Sequence, residues 1–551
     1  MFLVGAWLPA FCMPVLAQPA RGIVWEPPVN VIRAQSELFD MKESGVEAVR
    51  TSLLLDDAFY DIADSLGLQL YQELPFEYLS ADALIDTLEY ARQLMREAVS
   101  WSNRHPSIRH FGLGRFYDTS DPRACRFFDE VIAEARRHSE QTLSFYYSTT
   151  FVEDEQCASS LDLMLIDALN ESDPNALLDR WRKAHPEGRI GIGALGTWVE
   201  SLDDDQDGYR LLNSPAYQAR YLEDNLNALL YGPDATNLES IFVYRWRDIR
   251  LEYPSISHNL NYPYRHTYGL NTNRGTSRSA YHVVRGIFTD EQRVFAFPVG
   301  KEGNPGASWI VLLGWVAIAF LGFGYAYFPR FSPNVMRYFT AHGFYRSAVE
   351  EGRELLFGPT ALLLVVVMIS FGIAGTVILD TVRVTEAFSA LVRWLPATPR
   401  TTLVALLSNQ LVMSLVLGSG FIVAVAVWTS VLSAVTTRNR RRLLPGQSFM
   451  LVVWPQWPVI LAMVAAIVIS TIDKTNAPIW ALALFIILVI SVLIASARAL
   501  RDFSAITRPS LFQACIAFFG NPFLIIVIIG IYICIQHADK FSFFWHLIVR
   551  S

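Results

Sequence analysis

Residues 104–116 read RHPSIRHFGLGRF. A basic residue, a His-Pro-Ser-Ile phrase and a short apolar run ending in glycine look like the run-up to a catalytic carboxylate at a strand end. The next two residues, however, are Arg115 and Phe116. A phenyl ring has no proton to give, so general-acid chemistry has no donor at that place. Other chemistry-bearing patterns are sparse. No histidine cluster has zinc spacing and no G-x-S-x-G elbow occurs, so neither a metal nor a cofactor is expected. DDDQDG at 203–208 opens like a calcium loop, but the twelfth position is Ser214 instead of a bidentate glutamate, and a solvated acidic turn is the expectation. Trp25, Tyr71, Phe116, Tyr117, Tyr147, Trp198 and Trp246 fall at or near candidate strand ends. Ring faces there suit either packing against a pyranose or packing into the core.

Short β-branched or aromatic runs predict strands at 21–26, 46–52, 68–74, 108–114, 142–148, 161–167, 189–196 and 238–246. Helix-like stretches separate them, as at 36–45 and 81–105. In the latter, Leu84, Leu88, Ala91, Leu94 and Ala98 recur at three- and four-residue steps and make one buried face. Alternating strands and helices over about 270 residues predict an α/β fold, a (β/α)8 TIM barrel, and no Gly-rich phosphate loop follows the first strand to favour an open dinucleotide-binding sheet. Chemistry in such a barrel sits at the C-terminal strand ends.

Four phrases carry a family likeness: RGIVWEPP, DMKESGVEAVRTS, FYDIADSLGLQLYQE and RHPSIRHFGLG, in that order. They resemble the catalytic barrel of glycoside hydrolase family 2, and HTYGLNTNRGTSRSAYHVVRGIF (266–288) is similar to its closing helix. The resemblance implies a retaining mechanism with an acid after the fourth strand and a nucleophile near the seventh. Those positions hold Phe116 and Ala194, so no catalytic residue is expected in the family's places; Asp118 and Glu200 are the substitutes nearest to them. Where the family often carries His-Tyr-Pro, this chain has Leu53-Leu54-Leu55. The family's nucleophile-holding arginine matches Arg50, which is expected to pair with Glu73 or another neighbour, because an unpaired buried charge is costly. The ligand-binding candidates are Arg50, Glu73, Arg115, Tyr147, Trp198 and Trp246, and the two arginines suggest an anionic sugar or phosphate.

The remainder of the chain differs in kind. Hydrophobic residues make up 52 % of the 551, and the long uncharged runs lie after residue 306. Six of them, at approximately 307–328, 359–379, 409–433, 448–471, 478–497 and 511–535, are long enough to cross a bilayer as an all-α bundle. Phrases LLFGP (355–359) and LLPGQSF (443–449) resemble a Yip1-type membrane domain. Arginine-rich connections follow the first, third and fifth runs, which predicts those sides as cytoplasmic and residues 18–306 as extracytoplasmic. MFLVGAWLPAFCMPVLA (1–17) reads as a signal peptide or N-terminal anchor. Asp380 and Asp473 stand at span ends, Asn409-Gln410 reads as a boundary or helix–helix contact, and Gly418 and Gly420 suggest close helix packing. Cys125 and Cys157 are the pair able to bond in the soluble part.

The net charge of -7, without a basic aromatic-laced stripe, gives no footprint for nucleic acid. The expected reading is a cell-membrane, multi-pass protein whose barrel binds or senses a glycan or other polar envelope ligand without cleaving it, or scaffolds polysaccharide machinery with envelope protein partners. Alternatives are an active retaining hydrolase with relocated carboxylates, and a transporter or membrane-organising protein capped by the barrel.

Overall fold

The computed structural model describes residues 18–550 except 55, 151–154, 201–206, 233–237, 253, 256–261, 302–307, 330, 353–356, 386–387, 389–390, 393–394, 437–441 and 472–476. The leader, Leu55, Asp473 and most of the DDDQDG stretch therefore lie outside the described residues. The chain forms two compact units, one of residues up to Arg250 with Arg265–Gly303, the other of Leu251–Tyr264 with Asn304–Ser551.

In the first unit, eight strands pair in parallel and in chain order into a closed barrel. They are β1 (Ala20–Val24), β2 (Ala48–Ser52), β3 (Gln69–Glu73), β4 (Ile108–Arg115), β5 (Ser144–Thr149), β6 (Leu163–Leu169), β7 (Ile190–Gly196) and β8 (Ser240–Tyr244). Every strand expected from the apolar runs is present. Closure is made by β8 against β1, with Gly22 opposite Phe242. A Cβ at residue 22 would lie 2.4 Å from the Phe242 ring, so a side chain from one strand fills the space another leaves empty.

Helices on the outside start where the sequence supplies caps. Helix α1 (Val31–Glu43) is capped by Asn30, and α2 (Asp57–Leu66) by Asp56; α2 ends on Gly67, which takes the left-handed conformation. The longest, α3 (Ala81–Ser102), is capped by Ser80 and buries Leu84, Ala91, Met95 and Ala98. Helix α4 (Pro122–His138) follows Asp121, and α5 (Pro174–Ala184) follows Asp173. Ser214, the twelfth position of the calcium-like pattern, instead caps α6 (Pro215–Tyr231), accepting from the Tyr217 N–H at 3.0 Å. Helix α7 (Ser279–Phe288) closes the ring.

Between β5 and β6 the described residues form the short 3-10 turn Ala158–Ser160. There Cys157 is disulfide-bonded to Cys125 of α4, tying the connection to the barrel wall.

Among the described residues of the second unit, five helices are long and apolar enough to span a membrane: Trp309–Tyr327, Phe357–Val382, Gln410–Val435, Pro445–Ile469 and Ile479–Thr507. The expected sixth span is corrected in form. Leu511–Phe519 and Pro522–Gln536 are separate helices bent by 72°, and the count is six only if this pair is one span. The break falls at Gly520-Asn521-Pro522, where the proline has no N–H to continue the ladder. Gly418 packs closely, for a Cβ there would meet Met368 Cγ at 2.8 Å, whereas Gly420 faces open space and makes no such contact. Gly372 does instead, with the Ser414 carbonyl 2.3 Å from where its Cβ would be. Asn409 caps its helix through the Val412 N–H, and Gln410 donates to Asp380 at 3.3 Å.

Candidate functional site at the barrel mouth

Five charged side chains at or just beyond the C-terminal ends of β2, β3, β4 and β6 form one connected cluster. Arg50 projects from β2 and is fully enclosed. One guanidinium nitrogen donates to Asp167 Oδ1 at 3.0 Å and to the Gly193 carbonyl at 2.7 Å, and the other to Glu73 Oε1 at 2.8 Å. Asp167 comes from the end of β6, its side chain only 2 % exposed, and also accepts from Ser148 Oγ of β5 at 2.7 Å. Burial works against the Arg50 charge, but Glu73 and then Asp167 raise its pKa above the ordinary arginine value. Arg50, Glu73 and Asp167 thus form a buried ion cluster bridging β2, β3 and β6, with the Gly193 carbonyl of β7 as a further acceptor.

Asp167 stands beside the place expected for the nucleophile. It is in register with Ala194, and a Cβ on Gly193 would lie 2.3 Å from its Oδ1. Only glycine at 193 leaves room for that carboxylate. Ala194 is buried with Tyr244 and Tyr268, and Trp198 packs on that group. Asn170 donates to the Tyr268 hydroxyl at 2.8 Å, which holds the ring in place.

At the end of β4 the ladder to β5 shifts register between Gly112 and Arg115. Gly114 has φ 116°, and a Cβ on it would overlap the Tyr117 hydroxyl, so this position requires glycine. The kink turns Phe116 (φ 56°) into a stack on Tyr78, with ring centroids 5.0 Å apart. Arg115 forms an ion pair with Glu77, and its Nε lies 3.8 Å from Glu73 Oε2. Burial opposes the Arg115 charge, and Glu77 followed by Glu73 raises its pKa well above normal.

Several expectations change here. Arg50 and Arg115 face three carboxylates, Glu73, Glu77 and Asp167, so the reason for an anionic ligand disappears. Tyr147 is not at the mouth. It is 0 % exposed between the barrel and α4, against Tyr117 and Phe128, while its neighbour Tyr146 faces the barrel interior with Tyr71 and Phe242. Trp246 likewise packs into the outer core, edge-on to Tyr281. Asp118 is occupied by Ser120 Oγ at 2.6 Å in the loop after β4, and Glu200 is exposed on the loop after β7. Leu53 and Leu54 pack against the barrel–helix core. Asp167 was the carboxylate that sequence reasoning passed over, although it ends an apolar run just as Glu73 does. Among the described residues no group of three potential metal ligands converges.

No family model and no curated protein matches the sequence. Among solved structures, the chain is similar to a glycoside hydrolase family 2 β-galacturonidase from Eisenbergiella tayi, at 14 % identity and TM-score 0.44, covering 50 % of this chain and 52 % of that one. It is also similar to β-glucuronidases of Dictyoglomus thermophilum (15 %, TM-score 0.41, 50 % and 51 % covered) and Ruminococcus gnavus (15 %, TM-score 0.43, 50 % and 51 % covered). The chain spans about half the length of each.

Proposed function

We propose that this chain is a multi-pass membrane protein whose glycosidase-like barrel binds a glycan outside the cytoplasm without hydrolysing it. One observation carries the reading: every carboxylate gathered in the mouth cluster is already engaged by a guanidinium. Retaining hydrolysis needs a protonated acid and a free nucleophile about 5 Å apart. Phe116 and Ala194 supply neither, and Asp167, the carboxylate beside Ala194, is clamped by Arg50 and Ser148. Trp198 beside Tyr244 and Tyr268 offers the aromatic surface that a sugar face packs against. The Cys125–Cys157 bond suits an oxidising compartment, in keeping with the arginine pattern of the membrane connections.

The test uses the full chain in detergent. On a panel of aryl glycosides it should show no turnover above an Asp167→Asn, Glu73→Gln control, while a glycan array should show binding lost in Trp198→Ala. Turnover that disappears in the control would replace this reading by a hydrolase with Asp167 as the relocated nucleophile. Absence of any glycan binding would leave the barrel as a structural cap.

A further inference from the structure

A second charged group lies wholly within the helical unit, and it marks a depth. Residues 479–497 of the helix Ile479–Thr507 carry no charge, and Arg498, Arg501 and Asp502 follow them. Against that end stand two short helices, Phe331–Thr340 and His342–Glu351, which connect the apolar helices Trp309–Tyr327 and Phe357–Val382. Asp502 is fully enclosed and pairs with Arg346 Nε at 2.7 Å and with His342 Nε2 at 2.9 Å. Arg498, one turn earlier, lies 4.5 Å above the Tyr338 ring. The corner between the short helices is thereby held level with the place where the apolar run stops.

Two other helices give the same depth. The Trp454 indole donates to Thr360 Oγ1 at 3.0 Å, near the start of Phe357–Val382, and Tyr338 packs on that indole with ring centroids 5.6 Å apart. Phe339 stands edge-on to Trp457 at 4.9 Å. From this corner His342–Glu351 runs outward along Pro445–Val453. The Tyr345 hydroxyl donates to the Met450 carbonyl at 3.1 Å, and the Gln447 amide to the Val349 carbonyl at 2.7 Å. Side-chain character follows the same axis. Met336, Phe339 and Phe344 are exposed at the corner, whereas Glu350 and Glu351 stand about 10 Å farther along the helix, at 1.5 Å per residue.

We propose that this corner is seated in the boundary layer of a lipid bilayer, with Met336, Phe339 and Phe344 against acyl chains and Glu350 and Glu351 in water. The proposal rests on the multi-pass reading above. Lipid is the partner because the short helices are tied at both outer ends to apolar helices, by residues 328–330 and 352–356 alone, which keeps them beside the membrane. Tyr338, Trp454 and Trp457 are of the types that collect at that boundary. Arg337, its charge 4.9 Å from the Phe344 ring centroid, has a stem that bridges the apolar edge and the head groups. A short amphipathic element is held at an interface by such an edge.

The test uses the full chain in nanodiscs of phosphatidylcholine and phosphatidylglycerol. A fluorophore is placed on single introduced cysteines after Cys515→Ser and Cys534→Ser, with the bonded Cys125–Cys157 pair left intact. Met336→Cys and Phe344→Cys should lose fluorescence to a nitroxide-bearing lipid and keep it in aqueous iodide. Glu351→Cys should do the opposite, and Ser347→Cys should fall between them. Ile487→Cys, exposed in the middle of the uncharged run, is the control. Lipid quenching there but not at positions 336 and 344 overturns this proposal alone, whereas no lipid quenching at position 487 overturns the multi-pass reading with it. Shielding of positions 336 and 344 from both quenchers assigns the edge to a protein contact and also overturns the proposal.

Discussion

Two titratable groups in the barrel should give it an unusually level stability over mildly acidic pH. Glu155 lies in the connection tied by the disulfide and is 4 % exposed, with Oε1 accepting the Cys157 N–H at 2.8 Å. Burial raises its pKa from 4.5 to about 7, against the smaller lowering effects of Thr119 and the Cys157 N–H. His110 stacks on Tyr71 with ring centroids 4.0 Å apart. Burial, with Arg189 next in size, lowers its pKa from 6.5 to about 4. The signs oppose each other. Folded Glu155 keeps a proton that the unfolded chain has lost, so its stabilisation is full below 4.5 and gone once pH has risen past 7. Folded His110 lacks a proton that the unfolded chain holds, so its stabilisation is full above 6.5 and lost as pH falls to 4.

Each shift corresponds to about 3 kcal/mol at 1.36 kcal/mol per unit, and over the shared window the two slopes cancel. Glu155→Gln removes one slope. That variant should gain about 3 kcal/mol in barrel stability as pH rises from about 4 to about 6.5. His110→Phe, which keeps the stack, should lose about the same between about 4.5 and 7. Pulse proteolysis in urea, read on the barrel fragment of the full chain, reports both profiles. Parallel profiles for the two variants would refute the argument.

Two other outcomes follow from the ion cluster and the disulfide. Arg50→Met strands Glu73 and Asp167 as buried carboxylates and should cost about 3–5 kcal/mol, whereas Asp167→Asn keeps its acceptor oxygen for Ser148 and should cost about 1 kcal/mol in thermal unfolding; the reverse order would sink the ion-pair account. Cys157→Ser opens a loop between residues 32 apart, and the melting temperature should fall by the equivalent of about 3–4 kcal/mol, a loss that reductant reproduces in the parent chain.

The barrel was legible because each of its eight strands is a short apolar run bounded by polar residues, and because the alternation with amphipathic segments such as α3 is regular. The arginine at the mouth was legible too, through the phrase around Arg50. The failures have definable causes. Adjacent Tyr146 and Tyr147 point to opposite faces of one strand, and nothing in two identical side chains says which face is inward. The turn of Phe116 onto Tyr78 depends on a register shift that appears only when β4 meets β5. Asp167 gains its meaning from Gly193 on the next strand, a neighbour 26 positions away in the chain. The bend in the last apolar stretch was readable from Gly520-Asn521-Pro522, but hydropathy averaged over the window hid it.

The mouth cluster carries a consequence for the glycan binding proposed above. Two guanidiniums and three carboxylates lie within hydrogen-bond and near-contact distances of one another, so a single negative charge is left over in the cluster. Little field is left to project into solvent. On the glycan-binding function proposed above, encounter with a sugar is governed by shape and by dispersion at Trp198, and added salt should leave both the rate and the strength of association nearly unchanged. A binding surface of that kind operates equally well in dilute surroundings and in brine.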